Sequence, residues 1–185
     1  ESIQIGEAVH KSLKQILEVK KSKTFSDYEE GFTPSLSSNK EAFSLIQLAI
    51  EDAHFRLGFD VFLGLDSRAS LFFKDGKYEI KDSSIPLSSK DLISYYEELN
   101  NNFHLLYLED PLDQDDWDGW TMLFEKLSKT TIVAGGDLTA TNPYRLYNIH
   151  MSHCNNLPIQ LIDRWKELYS EKELNFLLLI LILRP

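Results

Sequence analysis

Three short apolar runs, each closing on an acid, constrain the fold of this chain more than any other feature. They are VFLGLD (Val61 to Asp66), LLYLED (Leu105 to Asp110) and TTIVAGGD (Thr130 to Asp137). A strand that is apolar at every position is buried on both faces, and that is the habit of parallel sheets. The stretches around them carry helical periodicity. Ile5, Val9, Leu13, Ile16 and Leu17 share one face. Ala42, Leu45, Ile46 and Ala49 form a second stripe, opened by a Ser38/Glu41 capping-box signature. Ser88 and Asp91 start LISYYEEL in the same way. Trp120, Leu123, Phe124 and Leu127 line one side of DDWDGWTMLFEKL, and Asn142-Pro143 offers a cap and first helical position for another helix. FFKDGKYEI reads as a β-hairpin turning at Asp75-Gly76. Alternating strands and helices of this kind predict an α/β fold with a parallel sheet and helical crossovers. About four core strands are expected, the first of them in TFSDYEEGF.

The 185 residues suffice for one domain with a real core. The net charge of −10 and the lack of a Lys/Arg-rich stripe argue against nucleic acid or an anionic membrane as partner. One cysteine, Cys154, excludes an internal disulfide and a multi-cysteine metal site and suits a reducing compartment. The chain opens on Glu1 with no signal-peptide pattern, so a trimmed or partial chain is expected. The apolar run Phe176 to Leu183 is too short to span a bilayer and reads as a buried strand or a sticky end.

The chemistry lies in where the carboxylates fall. Asp66 and Glu109 terminate their strands, Asp137 follows TIVAGG, and Glu29 stands at or just past the end of TFSD. Parallel strands bring their C-terminal ends to one face, where barrel enzymes of this type place their active sites. Acids distant in sequence then converge there. Their mutual repulsion is relieved by a hard cation such as Mg²⁺, which takes carboxylate, water and substrate oxygens. A carboxylate free of metal serves as a general acid or base. A single acid after a strand fits equally well as a helix cap. Asp113, Asp115 and Asp116 are expected in the first turn of a helix, where they favour its dipole.

These segments resemble enolase. LEDPLDQDDWDGW is similar to the family's E-D-P segment followed by D-D-W-x-x-W, GGDLTATNP to its D-D-L-T-V-T-N-P, LGLDSRASLFFKDGKYEI to its strand Asp, A-S-E-F-Y and D-G-K-Y hairpin, and EEGFTPSLSSNKEA to its G-D-E-G-G-F-A-P-N segment. Order and spacing agree from about residue 1 to about 147. The resemblance implies a partial enolase-like TIM (β/α) barrel over 1–147, with a tail at 148–185 that does not match. It implies a cytoplasmic, Mg²⁺-dependent glycolytic lyase that interconverts 2-phosphoglycerate and phosphoenolpyruvate, in a family that commonly forms dimers. Carried over residue by residue, Glu29 matches the general acid and Asp66 and Glu109 match two of three Mg²⁺ ligands.

The chain departs from the family at several of these positions. The third ligand position is Gly136, with Asp137 beside it as the surviving acid; Tyr28 and Glu30 replace the residues that flank the general acid. The family's lysine base would lie beyond residue 147, in a stretch the tail does not resemble. An inactive enolase-derived fragment or interaction module is therefore the alternative expectation.

Overall fold

A computed structural model describes residues 2–20, 31–140, 142–145 and, as backbone, 177–182. The chain divides into two compact units, residues 1–62 with 175–179 and residues 63–174 with 180–185. In the first, helix α1 (Ser2–Val19) packs on helix α2 (Asn39–Asp52). Val9 and Leu17 are buried on α1 as its periodicity predicts, and so is Ser12, whose hydroxyl donates to Asp52 at 2.7 Å. On α2 the deepest positions are Phe43, Leu45, Ala49 and Ile50, so the buried stripe is rotated slightly from the expected one. Ser38 caps the helix by accepting from the Glu41 amide. The Glu41 carboxylate bonds the amide and hydroxyl of Ser37 and reaches Lys20, so the expected reciprocal bond to Ser38 is not made.

The second unit is built on parallel strands. β1 (Val61–Asp66), which enters it at Leu63, pairs in parallel with β4 (Leu105–Glu109), and β4 with β5 (Ile132–Ala134). A further strand, β6 (Leu177–Ile182), stands beside β1 in the order β5-β4-β1-β6. Its segment is the apolar run of the tail, which thus joins the sheet as a strand. The first expected strand and Glu29 fall mainly in 21–30, outside the described residues. The same holds for the boundary expected at 147/148 and for Cys154.

Helices α3 (Ser89–Phe103) and α4 (Trp117–Leu127) cross over between the strands and pack on each other and on the sheet. The row Leu65, Leu108 and Val133 lies in register across three strands and is 0–2% exposed. Helix α3 buries Leu92, Ile93, Tyr96 and Leu99, and α4 buries Trp120, Leu123, Phe124 and Leu127, the face the spacing predicts. A full capping box of Ser88 and Asp91 starts α3.

The hairpin forms where expected but is short: β2 (Phe73–Lys74) pairs antiparallel with β3 (Lys77–Tyr78). Asp75 and Gly76 both take positive φ, 50° and 76°, as a two-residue I′ turn requires. Helix α4 begins later than the acids suggest. Asp116 is its N-cap, accepting from Gly119 N at 3.1 Å, while Asp113 and Asp115 sit in the turn before it. Asp113 Oδ1 accepts from the Asp115 amide, the local bond by which aspartate favours turns over helix interiors.

Candidate functional site

Side chains alternate across a strand. Leu65, Leu108 and Val133 share one buried face, so Asp66, Glu109 and Ala134, the next residues in register, point to the other face of the sheet at its C-terminal edge. Neighbouring strands lie about 4.8 Å apart. The two acids therefore come side by side from strands more than 40 residues apart, as their strand-end positions predict.

Each carboxylate is held differently. Asp66 is 9% exposed. Its Oδ2 accepts from Arg68 Nε at 3.3 Å, whereas Oδ1 is buried with no hydrogen-bond partner. Burial and then the charge of Glu109 push the Asp66 carboxyl above the usual range, against the opposing pull of Arg68. Glu109 accepts from the Tyr107 hydroxyl on Oε2 at 2.9 Å. Tyr107 is two residues earlier on the same strand and so on the same face. Burial, then its bond to Glu109, raises the Tyr107 pKa well above the ordinary phenol range. That phenol stays a proton donor at neutral pH.

Asp110 lies just past β4 with φ of +43° and is 6% exposed. Its amide donates to Ala134 O at 3.0 Å, its carbonyl accepts from Ala69 N at 2.9 Å, and its Oδ1 accepts from Asp137 N at 3.0 Å. Burial pushes the carboxyl up to about 6. The Asp137 amide opposes that rise, and the charges of Asp137, Glu109 and Asp66 add to it. All four carboxylates thus belong to one electrostatic neighbourhood.

Gly136 and Asp137 do not extend a strand. β5 ends at Ala134, Gly135 is the N-cap, and Gly136–Thr139 forms the short helix α5. Asp137 is exposed on the first turn of α5. It is offset from position 136 by a helical step rather than by the half-turn flip of a strand. A Cβ placed on Gly136 would meet Asp110 Oδ2 at 3.3 Å and Glu109 Oε1 at 3.6 Å. Position 136 is therefore the one from which a further side chain would enter beside Glu109. Among the described residues, no group of three or more His, Cys, Asp or Glu is placed to hold a metal ion. Of the two strand-end carboxylates, Asp66 keeps one buried oxygen without a hydrogen-bond partner.

A family model for the enolase C-terminal TIM barrel domain matches residues 1–163. The chain belongs to this family. The described residues form part of the enolase barrel: three parallel strands joined by helical crossovers, with a small antiparallel pair. No described helix is long and apolar enough to cross a membrane. The strand-end pattern of acids does not single out Tyr107 or Asp110. Tyr107 had a usable signal, its i, i+2 relation to the strand-end Glu109. Asp110 had none, because its part depends on three loops meeting.

Proposed function

We propose that Asp66 and Glu109 form a divalent-cation site and that the chain carries the Mg²⁺-dependent enolase reaction, interconversion of 2-phosphoglycerate and phosphoenolpyruvate. One observation carries this: two carboxylates stand in register on adjacent strands at the C-terminal edge of an enolase barrel, and Asp66 Oδ1 is buried without a partner. An unpaired buried carboxylate oxygen is costly, and a hard cation offsets that cost. Mg²⁺ is commonly held by one or two carboxylates with water and substrate oxygens, which suits this pair; Asp137 is the nearest candidate for a further ligand. The cation would supply charge to stabilise the anion formed when a proton beside a carboxylate is removed. The residues of the chain orient the pair. Tyr107 fixes the Glu109 rotamer by donating to Oε2, and Arg68 holds Asp66 Oδ2. Glu29 is proposed as the general acid. A small phosphorylated acid is the expected partner, with a homodimer and a cytoplasmic setting as in the family.

Gly136 favours a second reading, an enolase-derived chain that binds the cation weakly and does not turn over, because the corner beside Glu109 has no side chain. Purified protein assayed for phosphoenolpyruvate formation from 2-phosphoglycerate separates the two. Mg²⁺-dependent turnover that Glu29→Gln abolishes supports the enzyme. Absence of turnover together with measurable Mg²⁺ binding supports the second reading.

A further inference from the structure

Asp110 makes three bonds that no neighbour duplicates. Its amide reaches the end of β5, its carbonyl takes the amide of Ala69 in the segment after β1, and its carboxylate takes the first-turn amide of α5. The residue itself continues β4. It therefore ties the end of β4 to the end of β5, to the first turn of α5 that holds Gly136 and to the segment that follows Asp66. Its left-handed backbone is one that Asp and Asn tolerate better than other side-chain-bearing residues. Its carboxylate is buried, and Oδ2 lies 3.3 Å from where a side chain at 136 would begin.

We infer that Asp110 is a positioning residue: its buried carboxylate docks α5 against the end of β4 and so fixes the corner between Glu109 and position 136. Without that acceptor the Asp137 amide loses its partner and α5 has no side-chain bond to β4 from this residue. Asp110 bonds neither Asp66 nor Glu109 through its carboxylate, so it acts on the cation site only through the placement of α5 beside Glu109. Partners that bond a ligand directly are commonly worth about 10–100-fold in metal affinity, and the low end of that range bounds this indirect support. The affinity part of the inference rests on the cation site proposed above; the docking of α5 does not.

Two variants of the full chain separate side chain from backbone. Asp110→Gly keeps the left-handed conformation and deletes the acceptor. Asp110→Asn keeps the acceptor and deletes the charge. Exchange of the Asp137 amide, read by NMR, reports docking. Mn²⁺ binding, read by electron paramagnetic resonance, reports the site. Protection of the Leu99 and Leu123 amides on α3 and α4 confirms that each variant is folded.

Asp110→Gly is expected to raise Asp137 exchange ~10-fold, the loss of one charge-assisted hydrogen bond, and to weaken Mn²⁺ binding by about 10-fold. Asp110→Asn is expected to stay within about threefold of the parent in both. An Asp137 amide as protected in Asp110→Gly as in the parent overturns the inference. So does an Asp110→Asn that loses Mn²⁺ as fully as the glycine variant, since that makes Asp110 a ligand rather than a support. Should the glycine variant not fold, loss of Asp137 protection in Asp110→Asn alone overturns it. A parent that binds no Mn²⁺ refutes the cation site, while the Asp137 amide still decides the docking.

Discussion

At the scale of single residues, the acidic corner gives the protein an unusual pH response. Asp110 titrates near 6 in the fold, against about 4 in an unfolded chain. An acid with a raised folded pKa keeps its proton in the native state after the unfolded chain has released it. Stability is then lost as pH rises from about 4 to about 6. Asp66 is shifted in the same direction. Below that window the sign reverses, because Asp60 and Asp91 are lowered by Arg56 and Ser88 respectively and stabilise only while ionised. Urea unfolding of metal-free protein should therefore show stability falling between pH ~4 and ~6, with a flatter curve for Asp110→Asn. A parent curve that is level or rising across that window would contradict the assignment.

Gly136→Asp tests the empty corner. The new carboxylate enters beside Asp110 and Glu109. Metal-free stability should fall by about 1–2 kcal/mol from like-charge repulsion, and Mg²⁺ should raise Tm more than in the parent. Equal Mg²⁺ responses would mean that position 136 does not face the site. That Asp66 and Glu109 would meet was legible from their strand-end positions alone. That Gly136 and Asp137 open a helix rather than end the strand was not, because the apolar run carries no signal for where the strand stops.

At the scale of elements, Asp116 is the knot between hairpin and helices. Its carboxylate takes the Tyr78 hydroxyl at 2.7 Å, the Ser89 hydroxyl at 2.6 Å and the Gly119 amide. Tyr78 oxygen accepts in turn from Asp113 N at 2.9 Å. Asp116→Ala removes an N-cap worth about 1 kcal/mol and strands two buried or half-buried donors, so a loss of about 3 kcal/mol is expected by urea unfolding. Gly119→Ala makes a sharper test. Helix propensity alone predicts a gain of about 1 kcal/mol. A Cβ at 119 would stand 2.5 Å from Asp116 Oδ2, so the carboxylate must leave its partners. The expected result is net destabilisation, and a gain would show that the knot carries little. The acidic crowd in DQDDWDG was read as a helix start from its composition. Its deeper use, tying Tyr78 and Ser89 across 38 and 27 residues, depends on contacts that periodicity does not carry.

At the scale of the molecule, the alternation of buried strands and amphipathic helices sufficed to read a parallel α/β sheet, because burial on both strand faces leaves a strong, local apolar signal. Motif order added the enolase barrel, and the match over residues 1–163 shows that family. The apolar tail resisted placement, since a short continuous run has no periodicity to assign it to a sheet or to a surface. The proposed reaction requires that Asp66 and Glu109 together hold a divalent cation. Isothermal titration of the full chain with Mg²⁺, repeated with Glu109→Ala, tests that most directly. Saturable binding is expected in the parent, with a loss of at least ~10-fold in affinity in the variant. Identical binding in both, or none in the parent, would contradict it.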